Sequence, residues 1–209
     1  MLSDNIKKCA FLSKEELEKS LNFDLGDKSL LVTYHPVTLE HDTARQQCNN
    51  LLAVLERYPE YKILFTLPNS DTGGRIIMEC IQDFVSRNKN RAVAFTSLGK
   101  IRYLSALNYV SAVVGNSSSG ILEVPSFGIP TLDIGDRQKG RIAAASVVHC
   151  GATQEEINTG FDRLFSEEIM QIAKERNNPY EKNDTIEFII KVLRSYPLED
   201  IVKKTFYNS

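Results

Sequence analysis

The chain has 209 residues, of which 42% are hydrophobic and 25% are charged, and its formal net charge is -2. A chain of this size can bury one core, so we expect a single domain over residues 1–209, with a helical carboxyl-terminal tail. The small net charge gives no electrostatic reason to expect nucleic acid or an anionic membrane as a partner.

Apolar segments of strand length recur along the chain and alternate with helical patterns. Ser13 to Glu16 form a capping box that starts a short helix, which Asn22 is expected to end. Longer helices are predicted near 41–57 and 73–87, where apolar residues recur at helical spacing. Six buried strands are predicted at Leu30–Thr33, Ile63–Leu67, Ala92–Phe95, Ala112–Val114, Thr131–Ile134 and Val147–His149. This alternation predicts an α/β fold, a Rossmann-like parallel sheet flanked by helices.

The part of the chain after Thr153 is predicted to be wholly helical. Apolar residues at helical spacing mark one face of its last helix, at Ile186, Ile189, Ile190 and Leu193. No segment of the sequence has the roughly 18 consecutive apolar residues that a membrane helix needs. The start of the chain also lacks the pattern of a secretion signal, so a cytoplasmic protein is expected.

Cysteine and histidine residues show no spacing that is typical of a metal site. The four cysteines, at Cys9, Cys48, Cys80 and Cys150, form no C-x-x-C pair, and the three histidines are equally dispersed. Neither a zinc site nor a redox motif is indicated, and no cofactor is expected. Reduced, mostly buried thiols are the expected state.

The loops that follow the predicted strands form a second pattern. Ligands of open parallel sheets bind beyond the carboxyl ends of the strands. The loops that leave these ends meet at one edge of the sheet, so they can form one site. They span residues 35–38, 69–74, 96–100, 116–120 and 135–141. They are rich in Gly, Ser, Thr, Asn and basic residues, whereas surface position alone would explain only that they are polar. The sequence therefore predicts a polar crevice that binds an anion.

The loop after the fourth strand carries the strongest signal. Three consecutive hydroxyl residues, Ser117 to Ser119, are closed by Gly120 and followed by a predicted helix. Backbone N–H groups at the start of a helix, together with these hydroxyls, favour a phosphate or diphosphate. Helix capping is the alternative, although it needs only one hydroxyl. Glu123 could accept hydrogen bonds from a ribose diol, or it could be an ordinary first-turn carboxylate.

Two segments resemble a known family. The first reads NSSSGILEVPSFGIPTLDIGDRQKGR over residues 116–141, and the second reads YHPVT over residues 34–38. Both are similar to the carboxyl-terminal half of the hydrolysing UDP-N-acetylglucosamine 2-epimerases that feed sialic acid synthesis. The resemblance implies the carboxyl-terminal domain of a two-domain, GT-B-like fold, and UDP or UDP-N-acetylglucosamine as the ligand. It also implies a partner, because the family's catalytic carboxylates lie in an amino-terminal domain that this sequence does not contain.

The resemblance also assigns residues to the ligand. Within the predicted set, Ser117 and Ser118 are placed on the diphosphate and Glu123 on the ribose. Arg137 is expected to grip phosphate oxygens, for which a solvated basic loop is the alternative. The predicted UDP-binding residues are Ser97, Leu98, Asn116, Ser117, Ser118, Gly120, Glu123, Arg137 and Arg141. Those after the third strand, Ser97 and Leu98, correspond to positions where the family contacts the uracil mainly through backbone atoms.

Two histidines have more than one interpretation. The resemblance places His35 in the active site, where it is expected to take part in catalysis in a role that is not defined. A lone histidine is more often structural, which is the alternative. His149 matches a family position near the end of the last strand, but packing under the last helices would explain it equally well.

The resemblance implies a reaction that removes UDP from the sugar by anti elimination and then adds water to the glycal, giving free N-acetylmannosamine. Two other functions remain open from the residues alone. One is the donor-binding half of a UDP-sugar glycosyltransferase, which shares a diphosphate site and a ribose-binding carboxylate. The other is a nucleotide-binding module without chemistry of its own.

Overall fold

Six parallel strands form a single sheet in the part of the chain that the structure describes. The computed structural model describes residues 6, 9–36, 43–69, 72–181 and 185–197. The strands are β1 Ser29–Thr33, β2 Lys62–Thr66, β3 Ala92–Phe95, β4 Ala112–Gly115, β5 Thr131–Ile134 and β6 Val147–Cys150, in the order β3-β2-β1-β4-β5-β6. Each predicted strand is confirmed, and the predicted Rossmann-like fold is confirmed with them.

Helices cover both faces of this sheet. They are α1 Lys14–Leu21, α2 Ala44–Glu56, α3 Thr72–Arg87, α4 Gly99–Ala106, α5 Ser119–Leu122, α6 Gln154–Leu164, α7 Glu167–Lys174 and α8 Thr185–Ser195, with a 3-10 helix at Val124–Phe127. The predicted capping box is present at α1, where the Ser13 hydroxyl accepts from the Glu16 N–H and the Glu16 carboxylate accepts from the Ser13 N–H. Asn22 ends α1 in the left-handed conformation, as predicted.

The alternation of side chains along β1 explains why two helical layers form. Leu30 and Val32 pack in one apolar cluster with α2, α3 and α6, while Leu31 packs in another with α1 and α4. All five residues of β1 are buried, so this strand lies at the centre of the fold and cannot shift without disturbing both layers. Burying one such leucine contributes about 1.5 to 3 kcal/mol. The carboxyl end of β1 is therefore a rigid support for the loops beside it.

The prediction of a wholly helical tail after Thr153 is wrong at one place, because residues 175–181 lie outside regular helix between α7 and α8. Pro179 disfavours the helical conformation at the residue before it. That residue, Asn178, instead donates from its side-chain amide to the Leu122 carbonyl and the Ser126 hydroxyl, each at 2.8 Å. The interruption thus ties the tail to the segment after β4.

The predicted apolar face of α8 is present, but no residue of this helix is buried against the described part of the chain. Phe188 is 67% exposed and Leu193 is 71% exposed. Helix α8 is too short to cross a membrane, and none of the other described helices combines the length and apolarity that crossing requires.

Candidate functional site

A cavity of about 480 Å³ lies at the carboxyl edge of the sheet. The strand order reverses between β1 and β4, and ligands of open α/β sheets bind at such a switch point. Five of the predicted site residues line the cavity, namely His35, Ser97, Leu98, Ser117 and Glu123. The structure thus brings together residues from loops that follow β1, β3 and β4.

Gly115, the last residue of β4, lies close to Thr33, which lines the cavity at the end of β1. Its φ is +135°, and a Cβ atom built on it would collide with the backbone carbonyl oxygen of Thr33 at the end of β1. A side chain at this position would therefore separate β1 from β4. The close approach of these two strand ends brings the loops that follow them side by side.

Asn116 holds three of these loops together. Its side-chain oxygen accepts from the His35 N–H at 2.7 Å, and its side-chain nitrogen donates to the His35 carbonyl at 2.8 Å. The Asn116 carbonyl in turn accepts from Arg137 Nη1 at 3.0 Å and from Gln138 Nε2 at 2.8 Å. Asn116 is fully buried, so its amide positions His35 in this structure. Its predicted contact with UDP stays a prediction.

The serine-rich turn leads into the predicted helix, which is short. Helix α5 has four residues and gives way to the 3-10 helix, in whose first turn Pro125 lies. Proline lacks the N–H that would continue an α-helix, which explains the early end. The macrodipole of so short a helix is small, so attraction of an anion depends on the hydroxyls and the local N–H groups. Ser118 makes no side-chain capping bond, so the capping interpretation is not observed for it.

The hydroxyls of this turn are oriented by neighbours. Tyr103 on α4 donates its O–H to the Ser119 Oγ at 2.6 Å, and burial raises the pKa of Tyr103 to about 12, so its proton is retained at neutral pH. A hydroxyl that accepts one bond still has its own proton to donate. Ser119 lines the cavity and is therefore a donor for an anion there. Ser117 also lines the cavity and accepts from the Ser119 N–H at 3.4 Å.

Gly120 is needed for packing inside the protein. An added Cβ would lie 2.7 Å from the Thr131 Cγ2 on β5, and the Thr131 hydroxyl donates to the Gly120 carbonyl at 2.8 Å. Gly120 is buried and does not line the cavity in this structure. Its lack of a side chain lets α5 approach β5, and the predicted contact with UDP is not tested.

The two predicted arginines have different surroundings. Arg137 is exposed and reaches back to the Asn116 carbonyl, which places its guanidinium beside the serine-rich turn. Arg141 instead lines a second depression of about 510 Å³, together with Gln138 and His149. The structure therefore does not bring Arg141 into the cavity that the serines line.

Hydrogen bonds fix the turn that carries Ser97 and Leu98. The Ser97 hydroxyl accepts from the Gly99 N–H at 3.1 Å, and the Leu98 carbonyl accepts from Arg102 Nε at 2.8 Å. These bonds fix the turn between β3 and α4. Their predicted contact with a uracil ring stays a prediction.

His149 does not pack under the last helices, which was one of its two interpretations. Its Nδ1 lies 2.8 Å from the Asp133 Oδ2, and its side chain is half exposed at the carboxyl edge of the sheet. Burial raises the pKa of Asp133, and the histidine opposes that shift. Of this pair, His149 lines the second depression.

Sequence reasoning missed several residues that line the cavity. Three threonines lie at the ends of adjacent strands, and the hydroxyls of two of them, Thr33 and Thr66, hydrogen-bond to each other. The position of each threonine, at or just after the end of a predicted strand, could have indicated that it lies at this edge of the sheet. The missed lining residues include Thr33, Thr66 and Tyr103, whereas Thr96, Lys100 and Ser119 lie in the predicted loops but were not assigned to the ligand. Val37, Thr38 and residues 70–71 of the predicted loops lie outside the described residues.

Comparison with known proteins gives a consistent result. Residues 2–194 match the family described as UDP-N-acetylglucosamine 2-epimerase. The chain is 36% identical to the GDP/UDP-N,N'-diacetylbacillosamine 2-epimerase (hydrolyzing) of Campylobacter jejuni, over 100% of this chain and 54% of that protein. It is 30% identical to the polysialic acid biosynthesis protein P7 of Escherichia coli, over 88% of this chain and 46% of that protein.

A solved structure shows the same fold. The UDP-GlcNAc 2-epimerase of Neisseria meningitidis, in a crystal structure bound to UDP-GlcNAc, superimposes with a TM-score of 0.71 and 19% identity. The match covers 87% of this chain and 48% of that one. The chain spans about half the length of the curated relatives it matches. From the extent of the family match and the identity to its relatives, the chain belongs to the UDP-N-acetylglucosamine 2-epimerase family.

Proposed function

We propose that this chain is the UDP-sugar-binding, carboxyl-terminal half of a hydrolysing UDP-N-acetylglucosamine 2-epimerase. In the complete protein the reaction releases UDP and N-acetylmannosamine or the corresponding product of a related amino sugar. The supporting observation is the cavity at the β1–β4 switch point, which Ser117, Glu123 and His35 line together. Family membership favours this function over a glycosyltransferase.

The cavity offers the groups that a nucleoside diphosphate needs. Its volume of about 480 Å³ is typical of a small-molecule site. Hydroxyl donors at Ser117 and Ser119, with the Arg137 guanidinium beside them, can hydrogen-bond the diphosphate. Negative charge builds on the diphosphate as the bond to the sugar breaks, and fixed donors stabilise that charge in the transition state. This half therefore favours departure of UDP.

Removal of the proton from C2 of the sugar requires acid or base groups in addition to those that bind the diphosphate. Proton abstraction needs an acid or base within hydrogen-bond reach of the reacting atom. Among the described residues that line the cavity, Glu123 is the one carboxylate, and the proposal places it on the ribose. The catalytic carboxylates are therefore proposed to lie on a partner domain that closes the cavity from the opposite side.

Two observations support such a partner domain. The relatives are about twice as long as the segment that this chain matches. Helix α8 also exposes large apolar side chains, among them Phe188 and Leu193, that the described part of the chain leaves uncovered. Exposed apolar surface of this kind is typical of an interaction site. We propose that the amino-terminal catalytic domain covers it.

The substrate is proposed to be a UDP-amino sugar. One relative is named for N,N'-diacetylbacillosamine and another for polysialic acid biosynthesis, so UDP-N-acetylglucosamine and a 2,4-diacetamido sugar are both to be tested. Sialic acid biosynthesis is the proposed pathway. The four cysteines are free thiols, which is typical of a reducing compartment and supports a cytoplasmic location.

A change of Glu123 to glutamine tests the ribose assignment. Wild-type chain should bind UDP about tenfold to a hundredfold more tightly than 2′-deoxy-UDP, because a hydrogen bond to a charged group contributes about 1.5 to 3 kcal/mol. Glu123→Gln should narrow this ratio to a few-fold and leave the fold intact, since an amide accepts less strongly. Isothermal titration calorimetry with both nucleotides measures the ratio.

The exposed Glu60→Gln change is the matched control, and it should leave both affinities unchanged. Equal affinity of wild type for UDP and its deoxy analogue would remove Glu123 from the ribose. Failure of wild type to bind UDP at all would contradict the proposed function itself.

A further inference from the structure

One hydrogen bond joins the two turns of the cavity that are proposed to hold the base and the diphosphate. Helix α4 begins directly after Ser97 and Leu98, and one turn into this helix Tyr103 donates its O–H to the Ser119 Oγ at 2.6 Å. Ser119 is the first residue of α5 and the last serine of the serine-rich turn. Tyr103 and Ser119 both line the cavity. The bond therefore lies inside the proposed ligand site.

The tyrosine end of this bond is held firmly. The Tyr103 side chain packs against the apolar cluster that contains Leu98 and Leu104. One residue before it, Arg102 donates from Nε to the Leu98 carbonyl at 2.8 Å, which fastens the start of α4 to the turn after β3. Burial raises the pKa of Tyr103 to about 12, so the phenol keeps its proton at neutral pH. Tyr103 therefore supplies a fixed O–H donor.

This donor restricts the directions in which the Ser119 hydroxyl can point. A serine oxygen has two lone pairs and one proton, and Tyr103 occupies one of the lone pairs. The Ser119 proton must then point away from the phenol, and within the described part of the chain no protein group accepts it. A hydroxyl that accepts one hydrogen bond is also polarised into a stronger donor. The Ser119 proton is therefore available to a ligand in the cavity.

We propose that Tyr103 is a positioning residue, which directs the Ser119 proton at the diphosphate and holds this contact at a fixed distance from the base turn at Ser97 and Leu98. A group that is already oriented loses less freedom when the ligand binds. A ligand that carries both a base and a diphosphate gains from this arrangement, whereas a nucleoside without phosphate does not. The role assigned to Tyr103 rests on the proposed function, since it presupposes that UDP occupies the cavity.

The first variant is Tyr103→Phe, which removes the hydroxyl and keeps the ring in its apolar cluster. It should weaken UDP binding by about threefold to tenfold, the effect of one hydrogen bond between uncharged groups. The affinity for uridine should not change, because uridine does not reach Ser119. Isothermal titration calorimetry measures UDP, and ligand-observed NMR measures uridine.

The matched control is Tyr109→Phe. The Tyr109 O–H donates to the Leu12 carbonyl at 2.8 Å, and this tyrosine does not line the cavity. The control thus removes a comparable bond from the same part of the chain, and it should change neither affinity.

A double variant shows whether Tyr103 acts through Ser119. Ser119→Ala alone should weaken UDP binding by about tenfold to a hundredfold, since its hydroxyl is proposed to contact a charged group. Tyr103→Phe should add no further loss in the Ser119→Ala chain, because groups that act through one bond are not additive. Three results would overturn the role of Tyr103 and leave the proposed function standing: equal UDP affinity of wild type and Tyr103→Phe, an equal loss for uridine, or full additivity with Ser119→Ala. Failure of wild type to bind UDP would overturn both.

Discussion

Replacing Gly115 by alanine is expected to destabilise the protein by roughly 3 to 5 kcal/mol, which is at the upper end of single substitutions. The φ of +135° is one that residues with a side chain rarely adopt, and the new Cβ would collide with the Thr33 carbonyl oxygen. The collision involves backbone of β1, which is hydrogen-bonded to β2 on one side and to β4 on the other. Neither atom can rotate away, so β1 and β4 must separate at their carboxyl ends, where Thr33 lines the cavity.

Gly140→Ala is the matched control for this prediction. Gly140 also has a positive φ, of +81°, but no heavy atom lies within 4 Å of an added Cβ. Its cost should be the conformational one alone, about 1 to 2 kcal/mol. Urea unfolding of both variants measures the free energies of unfolding. If the two variants lose the same stability, the contact between β1 and β4 does not shape the site as described.

The combined change Ser117→Ala and Ser118→Ala should weaken UDP binding by several-fold to about a hundredfold, because hydrogen bonds to a charged group contribute roughly 1.5 to 3 kcal/mol. The fold should be retained, because Ser118 makes no side-chain cap bond and Ser117 accepts only a long one, at 3.4 Å. Loss of capping therefore cannot account for lost affinity. Calorimetry with UDP on the folded double variant measures the effect.

Ser86→Ala provides the control for the serine change. Its hydroxyl is exposed and donates only within its own helix, to the Asp83 carbonyl, so UDP affinity should not change. Unchanged affinity in the double serine variant would show that the diphosphate does not contact this turn. A loss in the control as large as in the double variant would point to a general effect of the substitutions.

Local patterns explain why so much of the fold was predictable. Each strand is a short apolar run between polar connections. Helix α1 begins at a capping box at Ser13 and ends at Asn22, and both signals act within a few residues of the sequence. The edge that carries the cavity followed from the parallel topology, because that topology places all the strand ends together. Sequence was therefore sufficient to predict the edge of the sheet at which the cavity lies.

The internal order of the site depends on contacts between distant residues. Asn116 bonds to the backbone of His35, 81 residues away, and nothing in the sequence around either residue shows this. The role of Gly120 likewise depends on Thr131 of a different strand. Arg141 follows Arg137 by four residues in the sequence, yet it lines the second depression. Side-chain packing separates residues that a motif groups together.

The contacts of the cysteines were likewise not predictable from local sequence. Spacing along the chain gave no redox motif, because Cys48 and Cys80 lie on different helices. Only the packing of α2 against α3 brings Arg45 Nη1 of α2 to 3.6 Å from the Cys80 Sγ of α3. Sequence predicts the buried state of such thiols more readily than their partners.

The most direct test of the proposed division of labour is a product assay by NMR. Purified 209-residue chain is incubated with UDP-N-acetylglucosamine, and in parallel with UDP-N,N'-diacetylbacillosamine, with and without the separately produced amino-terminal half of the Campylobacter jejuni relative. We expect the chain to bind UDP but to release neither UDP nor free 2-epimerised sugar alone, because we propose that the groups that remove the C2 proton of the sugar lie on the amino-terminal half. Release of both products should appear when the amino-terminal half is added. Turnover by the homogeneous chain alone would contradict the account.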